Sequence, residues 1–209
     1  AAPGVDFETL LPSDTKKTIA LDLIAARTVL RDLGGIDTAD MGRIMGNAIA
    51  SKVDALVSAQ LGALTAQEAT TNLLDELYIA IGTIRAAGET GPLNCVVSAA
   101  AYQGFMTVIG SSAFAGGDTQ NAAMRSGFIG MIAGTPCYVS SYLNDTNTGL
   151  TNTKFAVFSG DALRMAMQGG VNVEVERRAA AVGNDIVASA AFGVDVIDAT
   201  RGVVVQDAV

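Results

Sequence analysis

Histidine and tryptophan are both missing from the 209 residues. Without imidazole there is no Ser–His or Cys–His pair, and the commonest metal ligand is gone as well. Cysteine occurs twice, at Cys95 and Cys137, each in an apolar, strand-like segment. Two thiols without histidine make no zinc site and demand no disulfide framework, so both read as reduced, buried groups. Charged residues make up 16% of the chain, against a typical share of about 25%. Aromatic residues reach only 5%. No run approaches the ~18 apolar residues of a membrane span, and no basic segment followed by an apolar one opens the chain. The sequence therefore reads as soluble and unsecreted, and the sequon Asn144-Asp145-Thr146 is discounted as a glycan site. The patterns G-x-x-x-x-G-K-[ST], G-x-G-x-x-G and G-x-S-x-G are absent too, which removes the usual phosphate loops and the nucleophile elbow.

What titratable residues there are make weak candidates. Asp195 and Asp198 flank a strand end and read as solvated turn acids. Glu174 and Glu176 share a strand face with Arg178, and mutual salt bridging accounts for them. Met41, Met45, Met165 and Met167 read as gap-fillers in packing. No catalytic, cofactor-binding or metal-binding residue is expected. The net charge of −8 and pI of about 4.4 argue against a general electrostatic grip on nucleic acid.

Half of the chain is apolar. With so few charges to wet a surface, much of that surface is expected to be covered by further copies of the same chain. The stretch from Asp37 to Leu64 reads as one long helix, with Asp37 or Thr38 as its cap and Asp40 at the positive end of the dipole. Two rows step by four along it: Met41-Met45-Ile49-Val53-Val57-Leu61 and Ile44-Ala48-Lys52-Leu56-Gln60-Leu64. Four residues turn a helix by about 400°, so each row drifts about 40° per step and different levels should face different partners. Two readings follow, a core helix of one globule or a spine lying across a sheet with part of it touching neighbouring subunits.

Before that helix, Val5, Phe7, Thr9 and Leu11 alternate with polar residues, Pro12–Thr15 is turn chemistry, and Thr18–Leu23 alternates again. This hairpin is too small to stand alone, and it lies either on its own domain or on another subunit. Lys16 and Lys17, opposite Asp6 and Glu8, would then form an electrostatic seat on the neighbour. Ile24–Leu33 is ambiguous between strand and short helix. After the spine, Thr65 with Glu68 has capping-box spacing for a second helix through Leu73, Leu77, Ile81 and Ile84, ending near Gly88. A strand is expected at Leu93–Val97, a helix capped by Ser98, and a long exposed loop from Gly110 to Gly127. Strands follow at Phe128–Ile132, Cys137–Val139 and Phe155–Phe158, then a helical turn opened by Ser159-Gly160-Asp161 through Leu163 and Met167. Val171, Val173 and Val175 begin a strand. A turn near Gly183-Asn184 leads to a second, Asp185–Val196, whose even positions Ile186, Ala188, Ala190, Phe192, Val194 and Val196 line one face. Val203-Val204-Val205 closes the chain as a short strand.

This order of elements, with Gly134-Thr135-Pro136-Cys137-Tyr138-Val139-Ser140 and Phe158-Ser159-Gly160-Asp161 before two long closing strands, resembles the major capsid protein of tailed bacteriophages, the HK97-like fold. The resemblance implies an α+β fold with an extended hairpin loop (the E-loop), a spine helix, a peripheral sheet and an axial domain. By region it implies an E-loop hairpin and return strand at 1–33, the spine at 34–64, the axial domain at 65–170 and the peripheral sheet at 171–209. It also implies no enzyme and no cofactor. The expected function is self-assembly into an icosahedral virion shell of hexamers and pentamers around double-stranded DNA, built in the host cytoplasm. Portal, scaffolding and decoration proteins are further partners, and no membrane is involved. Little precedes the hairpin, so an N-terminal arm or scaffolding-like extension is short, removed or absent. The neighbouring readings are an encapsulin-like protein compartment, a small α/β enzyme and a phage tail protein.

Overall fold

The spacing of Met45 and Ile49 lets a 24-residue helix, α1 (Thr38–Leu61), seat itself across one face of a three-stranded sheet. The computed structural model describes residues 17–31, 38–69, 72–110, 128–132, 134–144 and 150–207. The first arm of the expected hairpin, the loop at 111–127 and Asp37 lie outside the described residues. Of the second arm only Asp22 and Leu23 are in a strand, β1 (Asp22–Arg31), which runs on through the stretch that was ambiguous. Its central partner is β8 (Gly183–Val196), and β7 (Leu163–Arg178) takes the far edge, both pairings antiparallel. The helical turn expected at Leu163–Met167 does not form. Leu163, Met165 and Met167 pair instead with Val196, Val194 and Phe192, so a partner some thirty residues downstream overrides the local propensity.

The even face of β8 was read correctly. Ile186, Ala188 and Ala190 are buried with Leu30 of β1 beneath Met45 and Ile49, with Met41 and Val53 at the margin. Low down, Leu61 and the adjoining Leu64 face another cluster altogether, as the drift of the rows requires. The helix stops before Leu64. Gly62, Ala63 and Leu64 tighten into bonds back to Ala59, Gln60 and Leu61, at 3.2, 3.0 and 3.2 Å. A Cβ on Gly62 would lie 2.4 Å from the end of the Leu150 side chain, so a larger residue where the chain leaves the helix must displace that leucine.

The second sheet has six strands in the order β2-β9-β6-β3-β5-β4. They are β2 (Thr65–Glu68), β3 (Leu93–Ser98), β4 (Phe128–Ile132), β5 (Thr135–Ser140), β6 (Thr153–Ser159) and β9 (Gly202–Gln206). One face packs against α2 (Leu73–Ala86) and α3 (Ala99–Gly110) through Leu77, Ile84, Val97, Phe105, Phe155, Val203 and Val205. Phe105 and Phe155 meet edge to face at 5.4 Å. Val204 points to the opposite face, which is why all three valines are buried in a strand covered on both sides. Cys95 and Cys137 are register partners on β3 and β5, both free and buried, as expected.

The capping box at Thr65 is a further correction. Thr65–Glu68 pairs in parallel with Val203–Gln206, and the Thr65 hydroxyl donates to the Ala199 carbonyl at 2.9 Å. The cap of α2 is Asn72, whose side chain accepts from the Leu74 amide at 3.2 Å. Ser98 does cap α3, accepting from the Ala101 amide at 3.2 Å.

Candidate functional site

Among the described residues, the three-stranded sheet is covered on one face only, and only in part. α1 lies over β8 and β1, leaving the inward-facing row of β7 bare. Along that row Met165 is 65% exposed, Met167 60%, Val173 57% and Val175 64%, with Val171 beside them. They share a face because two extra residues at Gly169-Gly170 shift the register between Gln168 and Asn172 and restore the alternation. Gly169 sits at φ +70°, a conformation that glycine takes without strain. Met165 and Met167, expected to fill gaps, therefore stand more than half exposed among the described residues. Between this row and α1 runs an apolar groove of about 200 Å³, lined by Gly42, Met45, Gly46, Val171, Val173 and Val175. On the other flank of the helix a larger groove of about 530 Å³ runs between β1 and the row Ala48-Lys52-Leu56. Ile44 opens that exposed helical row, and Leu23 stands 74% exposed on the opposite face of β1.

Among the described residues, both outer strands of this sheet also have an unpaired edge, β1 over ten residues and β7 over sixteen. Bare edges and bare apolar rows are what natural monomers avoid, because they template association.

Several charged groups are engaged in holding the chain together. Asp185, nearly buried on the face away from α1, takes the Arg27 guanidinium in a bidentate pair, with Nε at 2.9 and 3.1 Å and a third contact from Nη2. Arg178 approaches the same carboxylate at 3.7 Å, which gives it an ion pair with Asp185. Glu174 accepts instead from Asn172 at 3.1 Å. The Arg27 hydrogen bonds hold the Asp185 carboxyl below the ordinary carboxylate range. Asp195 bonds Lys17 at 3.3 Å, and Lys17 also donates to the Val196 carbonyl. Lys17 is thus tied to its own chain, and the seat expected on a neighbouring subunit is not tested in a single chain. Lys16 lies outside the described residues. Asp198 accepts from the Thr200 amide at 3.0 Å and hydroxyl at 2.6 Å, which lowers its pKa. Each member of the supposed acid pair therefore has its own structural role. Among the described residues no group of three Cys, Asp or Glu is placed to hold a metal ion, and no helix is long and apolar enough to cross a membrane.

No protein-family model matches the chain, and no curated protein matches it in sequence. Solved structures do match in fold over almost its whole length. A structure from Mycobacterium phage Che8 superposes with a TM-score of 0.71 at 20% identity, covering 97% of this chain and 82% of that one. The capsid structure of the cyanophage P-SCSP1u gives 0.71 at 16% identity, with 99% and 81% covered. The crystal structure of a virus-like particle from Pyrococcus furiosus gives 0.66 at 12% identity, with 89% and 76% covered. The fold is the α+β, HK97-like fold of phage capsid proteins.

Proposed function

We propose that the protein is a structural subunit, the major capsid protein of a tailed phage, which self-assembles into an icosahedral shell of hexamers and pentamers around double-stranded DNA. The carrying observation is the likeness to capsid structures over nearly the entire chain, joined to an apolar β7 row that the subunit leaves bare. A second copy of the chain is the occupant we assign to that row, since a capsid repeats one subunit many times. In this reading α1 with the three-stranded sheet is the peripheral domain, and the six-stranded sheet with α2 and α3 is the axial domain. The role is mechanical and involves no catalysis, and the protein resides in the virion after assembly in the host cytoplasm. The net charge of −8 suits a wall that must not bind the DNA threaded past it. Portal, scaffolding and decoration proteins are partners of the same reading.

A compartment for protein cargo is the second reading; the match to a virus-like particle from Pyrococcus furiosus fits a shell of either kind. Light scattering on purified protein tests the shared claim: megadalton particles or capsomers are expected, and a monomer stable over a wide concentration range overturns it. Nuclease protection of DNA inside particles taken from infected cells separates the readings. Protected genome-length DNA supports the first, and nuclease-sensitive DNA with co-purifying protein the second.

A further inference from the structure

The chain passes between the two sheets three times: at Gly62–Leu64, at Gly160–Ala162 and at Ile197–Arg201. The joint has an apolar floor of Leu61, Leu64, Leu143, Leu150, Val196 and Val204. Its second and third crossings are laced by backbone bonds from the Ile197 and Asp198 amides to the Ala162 carbonyl, at 2.8 and 3.3 Å. Close packing of that floor resists separation of the sheets. Polar contacts add a directional tie.

Those contacts converge on Arg201. Its Nη1 lies 3.0 Å from a Glu89 carboxylate oxygen and 3.6 Å from Asp161, and its Nε lies 3.1 Å from Asp198. Asp161 sits in the second crossing and Asp198 in the third. Glu89 belongs to the body of the six-stranded unit, in the turn between α2 and β3. It is 92% buried, and its other oxygen accepts from the Gly91 amide at 2.7 Å. The turn itself is fixed by Arg85, which donates to the Glu89 and Gly91 carbonyls at 2.9 and 2.8 Å. Arg164, at the start of β7, braces Asp161 at 2.9 Å. One planar guanidinium thus joins a rigid point on the six-stranded unit to both crossings that carry β7 and β8 away from it. Lysine presents a point charge and cannot hold that fork.

We infer that Arg201 is a positioning residue that sets the angle between the two sheets, and through it the curvature at which copies assemble. The link to curvature rests on the shell reading, whereas the angle does not. Two measurements keep them distinguishable. For the angle, nitroxide labels at Ala50→Cys and Ala100→Cys, exposed on α1 and α3, report the distance between the two units in unassembled protein. The two native thiols are buried and remain unlabelled. A narrow distance distribution is expected for the parent, at least a doubled width for Arg201→Met, and an intermediate width for Arg201→Lys. Equal widths overturn the inference. If Arg201→Met fails to fold, Glu89→Gln, which keeps an acceptor for the Gly91 amide but loses the charge pair, must broaden the distribution or the inference falls. For curvature, microscopy of assembled Arg201→Met is expected to show a spread of shell diameters where the parent shows one. A single parental diameter overturns the curvature claim. A parent that forms no shells at all counts against the shell reading and leaves the label measurement to judge the angle.

Discussion

Replacing Val173 and Val175 together by aspartate separates what the subunit needs from what its neighbours need. Both valines stand more than half exposed on β7. In a lone subunit the exchange removes little buried surface and costs mainly β-propensity, about 1 kcal/mol per site at most. For a chain of this length that lowers the melting temperature by roughly 2–8 °C. Covered by a neighbour, the balance changes. Full burial of an aliphatic side chain stabilises by about 1.5–3 kcal/mol, so covering the bare half of each is worth roughly 1 kcal/mol. The five side chains of the row then contribute on the order of 5 kcal/mol per contact. The double variant loses about two-fifths of that and must also bury two carboxylates, which costs several kcal/mol more. Every 1.4 kcal/mol is tenfold in affinity, so a loss of about 4 kcal/mol per contact raises the assembly threshold roughly 1,000-fold. Light scattering across a concentration series, with circular dichroism alongside, reads both effects. A folded variant that assembles at the parental threshold would refute the assignment of this row to an interface.

Other perturbations probe the subunit itself. Ile49→Ala, on the buried side of α1, is expected to lose about 2–4 kcal/mol, read as a lowered urea midpoint; an unchanged midpoint would show the helix is not seated there. Lys17→Glu, which sets a like charge beside Asp195 and removes the donor to Val196, should lower stability by about 1 kcal/mol even in unassembled protein. An effect confined to assembled particles would return Lys17 to the neighbour. Acid should weaken the fold in a definite sense. The pKa of Glu89 is held down by the Gly91 amide, that of Asp185 by Arg27 and that of Asp198 by the Thr200 hydroxyl. Each folded value lies below its unfolded one, so the unfolded state binds more protons as pH falls. The stabilisation is complete above the ordinary values of 4.5 and 3.8 and is lost as pH drops through the depressed ones. Melting temperature should be flat between pH 7 and about 5, then fall, with a shallower fall in Asp185→Asn.

Periodicity made the peripheral elements legible. The even row of β8 and the Met45-Ile49 row of α1 are each buried on one face, and that one-sidedness is written in the sequence as alternation or a step of four. Where the local pattern was ambiguous, the partner strand decided. Thr65–Glu68 has the letters of a capping box, yet β9 claims it as a strand, and Leu163–Met167 carries helix-forming residues that β8 draws out straight. The charge network was out of reach for a simpler reason. Arg201 meets Glu89 across 112 residues and Arg27 meets Asp185 across 158, and no spacing rule links positions so far apart. Exposure on β7 could not be read either, because alternating valines look the same whether a helix of the same chain or a second subunit covers them.

Negative-stain electron microscopy of the purified protein puts the central claim to the most direct test. Closed, icosahedral particles of one diameter, with hexamers and pentamers as the assembly units, are what the account predicts. A discrete small oligomer, open tubes or a field of monomers at every concentration would contradict it.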